Sequence, residues 1–140
     1  FHFGICNYRE SVERVAGYLQ ARKFPCDMFH GGMEQPDRER ALYKFRNGSC
    51  AVLISTDLAA RGLDIPGIEN VVHYHPPVNE EAYTHRNGRT ARWEASGNAY
   101  LVLHVEERVP EYISEDIAMY EFPETLPKTG QAPMGYLIYR

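Results

Sequence analysis

Long apolar runs are missing from this sequence. None approaches the ~20 residues that a membrane-spanning helix needs, which excludes such a span. Cysteine is scarce: Cys6, Cys26 and Cys50 are an odd number, widely spaced, with no CxxC pair. Neither a disulfide framework nor a cysteine metal site is expected from them. Each sits in or beside an apolar run and reads as a reduced, buried strand residue, which fits a reducing cytoplasm. A basic surplus is absent too, with 15 Lys and Arg against 19 Asp and Glu for a formal charge of −4. That balance argues against a surface basic throughout, but a polyanion needs only a local cluster. Arginines do concentrate, at Arg38 to Arg46 and again at Arg86 to Arg92. The chain opens on Phe1 without a signal-peptide pattern, and that start suggests a piece of something longer.

What remains is the balance of an ordinary globular protein, 44% hydrophobic and 24% charged. At 140 residues it can bury roughly two-thirds of its unfolded surface around one core. Short apolar segments alternate with longer amphipathic ones. Strands are expected at Phe1–Cys6, Pro25–Phe29, Ala51–Ser55, Asn70–Tyr74 and Asn98–Val105. Helices are expected at Ser11–Arg22 with Ser11 as N-cap, at Gln35–Phe45 with Pro36 in the first turn and Asn47-Gly48 beyond its end, and at Asn79–Arg86. The run at Ala51–Ser55 is apolar almost throughout, as in a strand covered on both faces. Repeated strand–helix units predict an α/β fold, a mostly parallel sheet between helix layers. Past Glu106 the pattern decays. A solvated helix start at Glu106-Glu107, a short helix near Glu111–Tyr120 and a proline-rich linker are expected, and the alternation of Met134–Arg140 could open the first strand of a further domain. Residues 1–120 are read as one domain and 121–140 as linker and possible start of the next.

In parallel sheets of this kind ligands gather at the carboxyl ends of strands. The chemically informative segments all fall there. His85-Arg86-Asn87-Gly88-Arg89-Thr90-Ala91-Arg92 carries three arginines three residues apart behind a histidine, planar forks suited to phosphate oxygens. Gln35 and Arg38 share one face at a helix start, beside Gly31-Gly32, where backbone N–H groups form an anion site. His73 and His75 alternate on a strand without a third ligand, so no metal site is expected. Tyr74, Tyr83, Tyr100 and Trp93 read as core or rim aromatics rather than base-stacking platforms.

The segment from His85 to Arg92 resembles motif VI, HRxGRxxR, of the DEAD-box helicases. Ser55-Thr56-Asp57-Leu58-Ala59-Ala60-Arg61-Gly62-Leu63-Asp64-Ile65 is similar to their motif V. His30-Gly31-Gly32-Met33 with Gln35-Pro36-Asp37-Arg38 resembles their HG turn and Q-x-x-R element, and the opening strand with Asn7-Tyr8-Arg9 resembles motif IV. The four stand in the family's order over residues 1 to about 105, far more specific together than singly.

The resemblance implies the second of two RecA-like domains. It makes Arg89 and Arg92 arginine fingers toward ATP carried by the other domain. Asp64, with Gly62 beside it, would meet the ATP ribose, and His85 would join the nucleotide and interdomain network together with Arg61 and Arg86. Arg9, Gly31, Gly32, Gln35, Arg38, Thr56 and Asp57 would hold the RNA backbone, without reading base edges. The P-loop and the DEAD carboxylates are absent from these residues, so ATP and Mg²⁺ would be held mainly by the N-terminal RecA-like domain, and this chain alone would be inactive. The linker and tail look similar to the entry into an RNA-binding C-terminal domain of some bacterial relatives. His75 stands where relatives usually have Asp, Asn87 where the residue is often aliphatic, and Glu34 where Ser or Pro usually opens the helix. A domain of a DNA-directed helicase of the same superfamily, or a binding module without catalysis, remains open at this point.

Overall fold

The computed structural model describes residues 1–63, 68–88, 97–103, 106–113, 118–120 and 135–139, the last two segments as backbone. Its centre is a parallel sheet built of β1 (His2–Cys6), β2 (Asp27–Phe29), β3 (Val52–Thr56), β4 (Asn70–His73), β5 (Asn98–Val102), β6 (Ala118–Tyr120) and β7 (Gly135–Tyr139). The spatial order is β2-β3-β1-β4-β5-β7-β6, and every described pair is parallel. The helices are α1 (Arg9–Ala21), α2 (Gln35–Arg46), α3 (Asp57–Ala60) and α4 (Glu80–Asn87). This is the RecA-like α/β architecture the alternating pattern and the resemblance called for.

Alternation along the strands explains the two-sided core. Phe3, Ile5, Leu53 and Val71 point to one face, where they meet Ala41 and Phe45 of α2 and Ala60 of α3. Cys6 and Ile54 point to the other, against Val12 and Ala16 of α1 and Cys26. Burial pushes the Cys6 and Cys26 thiols up to about 11, so both behave as small apolar side chains. Ser55, fully buried within β3, satisfies its hydroxyl by donating to the Phe29 carbonyl at 2.7 Å.

The helix ends follow local chemistry with one exception. The Asn79 side chain accepts from the Ala82 N–H at 2.8 Å and caps α4. Pro36 lies in the first turn of α2, Asn47 closes it, and Gly48 takes a φ of 82°. Ser11 is not the cap of α1. That helix begins at Arg9, directly behind β1, and Ser11 is buried in its first turn. Tertiary contacts at Asn7 start the helix early, overriding the capping preference.

The C-terminal expectations changed most. No helix spans 111–120 among the described residues: a turn closed by the Ile113 N–H on the Pro110 carbonyl replaces it, and 118–120 is strand β6. Ile113 packs on Leu101 and Leu103 from that turn, and β6 gains its backbone partners from β7. Glu106-Glu107 likewise forms a turn, not a helix start. The strand expected within 134–140 is β7, and it lies on this same sheet beside β5.

Candidate ATP and RNA interface at the sheet's carboxyl edge

Strand register brings the motifs together. Cys6 pairs with Thr56, and Ile5 with both Ser55 and His73. The residues next in line, Asn7, Asp57 and Tyr74-His75, therefore emerge side by side at one end of the sheet. Arg86, in the last turn of α4, reaches into the middle of them and is 2% exposed.

All five guanidinium N–H groups of Arg86 have acceptors. Nε and Nη2 donate to Asp57 Oδ1 and Oδ2, each at 2.7 Å, a two-pronged ion pair. Nη2 also donates to Asn7 Oδ1 at 2.6 Å, and Nη1 to the His75 carbonyl at 2.7 Å. The last N–H faces His73 Nδ1 at 3.4 Å. Arginine has no acceptor, so Nδ1 must carry the lone pair and the proton must sit on Nε2, where it is donated to Asn87 Oδ1 at 2.7 Å. Asn7 completes the cluster, its N–H donating to His75 Nδ1 at 2.9 Å and its amide to the Pro76 carbonyl at 3.2 Å. One side chain thus ties the ends of β1, β3 and β4 to α4.

This cluster has a pH consequence. Burial first, and the Arg86 charge second, hold the His73 pKa down to about 4. The unfolded chain takes up a proton near pH 6.5 while the folded one resists until about pH 4, so the unfolded state binds more protons between them. Stability should be full above pH 6.5 and fall through that window, by up to about 3 kcal/mol at its lower end. Urea midpoints at pH 7 and pH 4.5 should show the loss, and His73→Asn should show a smaller one. Equal losses in both proteins would exclude His73 as the source.

Beside the cluster, Ile5, Asp57, Ala60, Arg61, Val78, Asn79, Glu81, Ala82, His85 and Arg86 line a cleft of about 130 Å³ between α3 and α4. His85 is exposed there, 4.0 Å from Glu81. Arg61 and Gly62 lie just past α3, Gly62 at a φ of 77° that suits glycine. Asp64, Arg89 and Arg92 lie outside the described residues.

On the β2 side of the same edge, Arg9 and Gly32 meet: a Cβ on Gly32 would lie 3.0 Å from Arg9 Nη1 and 3.2 Å from the His30 ring. The Gly32 N–H donates to His30 Nδ1 at 3.0 Å. His30 Nε2 is 3.1 Å from the Glu13 carboxylate but not aligned with it for a hydrogen bond. Gly31 has open space around it. Gln35 and Arg38 share one face of α2, as their spacing required, and Arg38 donates to Gln35 Oε1. Gln35 in turn donates to Glu39 at 3.2 Å, and Arg38 Nε is buried with no partner among the described residues. Thr56 caps α3 by accepting from the Ala59 N–H at 3.3 Å.

Sequence reasoning found Arg86 and Asp57 but assigned them to different tasks, and it missed Asn7, His73 and Asn87 as their partners. The available signal was a helix-end arginine facing strand ends rich in Asn, Asp and His.

Comparison with known proteins agrees with this geometry. A family model described as the helicase conserved C-terminal domain matches residues 3–94, and the chain belongs to that family. Within it, this is a C-terminal RecA-like domain of the DEAD-box branch. The chain is 38% identical over 129 residues to the DEAD-box ATP-dependent RNA helicase 9, mitochondrial, of Arabidopsis thaliana, covering 90% of this chain and 21% of that protein. It is 39% identical over 124 residues to the ATP-dependent RNA helicase DbpA of Bacillus subtilis, covering 85% of this chain and 26% of that one. Among solved structures, S. cerevisiae Dbp5 bound to RNA and ADP BeF3 superposes with a TM-score of 0.68 at 30% identity, covering 74% of this chain and 28% of that chain. The chain therefore spans about a fifth to a quarter of the length of these curated relatives.

Proposed function

We propose that this chain is the second motor half of an ATP-dependent RNA helicase, working against an N-terminal RecA-like domain that carries the nucleotide. The observation that supports this most is the Arg86 cluster. It locks segments resembling motifs IV, V and VI into one rigid edge, with the cleft carrying Arg61 and His85 on one side and Arg9, Gly32, Gln35 and Arg38 on the other. Such an edge can present cations to two polyanions at once.

Toward the nucleotide, Arg89 and Arg92 act as arginine fingers that neutralise charge developing on the transferred phosphoryl group. Asp64 and Gly62 meet the ribose, and His85, Arg61 and Arg86 couple the two domains. Arg86 is engaged inside its own domain, so its coupling runs through Asp57 and Asn7. Mg²⁺ would be held with ATP mainly by the carboxylates of the N-terminal RecA-like domain. Toward RNA, Arg9, the Gly31 and Gly32 backbone, Gln35, Arg38 and Thr56 grip the sugar–phosphate chain independently of sequence, and Asp57, its carboxylate held by Arg86, can add only an acceptor for a sugar hydroxyl. The Dbp5 structure with RNA and ADP BeF3 shows that a relative of this fold takes both ligands.

The chain alone is expected to hydrolyse no ATP. Joined to its ATP-binding half it should show RNA-stimulated turnover, with RNA affinity falling as salt rises, by roughly 0.7 in log–log slope per phosphate neutralised. Turnover by the ATP-binding half that stays equally fast and equally RNA-responsive without this chain would refute the assignment.

A further inference from the structure

Three rings stand in a row at the carboxyl ends of β1 and β4. His75 lies between Tyr8, 5.8 Å away, and Tyr74, 5.0 Å away, each at an edge-on angle. The middle ring is held in place by the Asn7 N–H on its Nδ1. Its carbonyl is held by Arg86, so the support beneath the row is rigid. Desolvation and the Arg86 charge both lower the His75 pKa, leaving a neutral ring with aromatic rather than cationic character. Tyr8 is 64% and Tyr74 38% exposed. An aromatic that open at the rim of a domain is not covering core, and although the Tyr8 carbonyl accepts from the Val12 N–H at the start of α1, its side chain makes no capping hydrogen bond.

The position decides what fits. Tyr8 immediately precedes Arg9, whose guanidinium stands over Gly32 on the β2 side while the Tyr8 ring turns toward β4. A strand whose phosphates lie along Arg9, Gly32 and Arg38 would continue past the tyrosine. We propose that Tyr8, backed by His75 and Tyr74, is a stacking platform for one nucleobase of the bound single strand, adding a base contact to an otherwise backbone-only grip. The proposal rests on the RNA reading above. A ring stacked on a base is tolerant of sequence because every base offers a face, so the addition strengthens binding without creating a code.

The test compares two strands, a single-stranded uridine oligonucleotide and an abasic strand of the same length and charge. Both are titrated against the full-length protein that carries this chain, held with a non-hydrolysable ATP analogue. Tyr8→Ala should weaken the uridine strand by roughly 5- to 150-fold, the usual worth of one stacked base, and leave the abasic strand unchanged. Tyr8→Phe should retain the wild-type preference, and Arg9→Ala should weaken both strands alike. Exposure of Tyr8 means that Tyr8→Ala can be checked for an unchanged fold by its unfolding midpoint. Equal loss on both strands, or no loss on either, overturns the stacking platform and leaves the RNA reading intact. If the unaltered protein binds neither strand, the RNA reading itself fails and the platform with it.

Discussion

Changing Arg89 or Arg92 to alanine, in the protein that joins this chain to its ATP-binding half, should cut RNA-stimulated ATP turnover by a factor on the order of 10³ to 10⁵. The reason is electrostatic. Negative charge grows on the equatorial oxygens of the transferred phosphoryl group, and a fixed guanidinium in a closing, water-poor cleft stabilises it without reorganising. Fixing is what this fold supplies upstream. Arg86 is clamped by Asp57, Asn7 and the His75 carbonyl, three residues before Arg89. The Gly88 N–H still bonds back to the Thr84 carbonyl at 2.9 Å. The end of α4 up to Gly88 is thus anchored. Single-turnover kinetics should assign the loss to the chemical step, with RNA affinity preserved. A variant that hydrolyses at the parent rate, or loses RNA binding and turnover in proportion, would remove Arg89 and Arg92 from the role of fingers.

Arg86→Ala should act through stability instead, costing about 3–5 kcal/mol. Removing the guanidinium leaves the Asp57 carboxylate, the Asn7 amide oxygen and the His75 carbonyl without their donor at the edge of the core. The loss is largest for the partly buried carboxylate, since one partner of a desolvated ion pair is worse than neither. Arg86→Lys should recover only part of it, because a single ammonium cannot reproduce the two-pronged contact or reach all four elements. Urea denaturation at pH 7 measures both. A loss below about 1 kcal/mol for the alanine variant would place the contact with ordinary surface ion pairs and contradict the buried geometry.

Much of this domain was readable from local signals. The helix over Gln35–Arg46 is announced by Pro36 at its start and Asn47-Gly48 at its end, and β3 by its nearly uninterrupted apolar run. The span of α4, expected at Asn79–Arg86 and found at Glu80–Asn87, was legible for the same reason, since it depends on neighbours within four residues. Gln35 and Arg38 met as a matter of helical spacing. Where an outcome depended on distant chain, local reading failed. Ser11 has the chemistry of a cap but lies inside α1, because β1 and Asn7 dictate where the turn into the helix occurs. The 111–120 segment has helical character in isolation, yet β7 offers Ala118–Tyr120 a ladder of backbone partners.

The sequence alone thus determined the α/β class, the order of its units, the motif set and hence the family, since each is written in short-range periodicity and in residue types at fixed spacing. Only the tertiary structure decided what Arg86 does. It bonds to Asp57 across 29 residues and to Asn7 across 79, separations over which no spacing rule operates. Parallel register delivers those side chains to one end of the sheet, and the cost of burying a charge without a partner selects the one arrangement in which all five donors are satisfied.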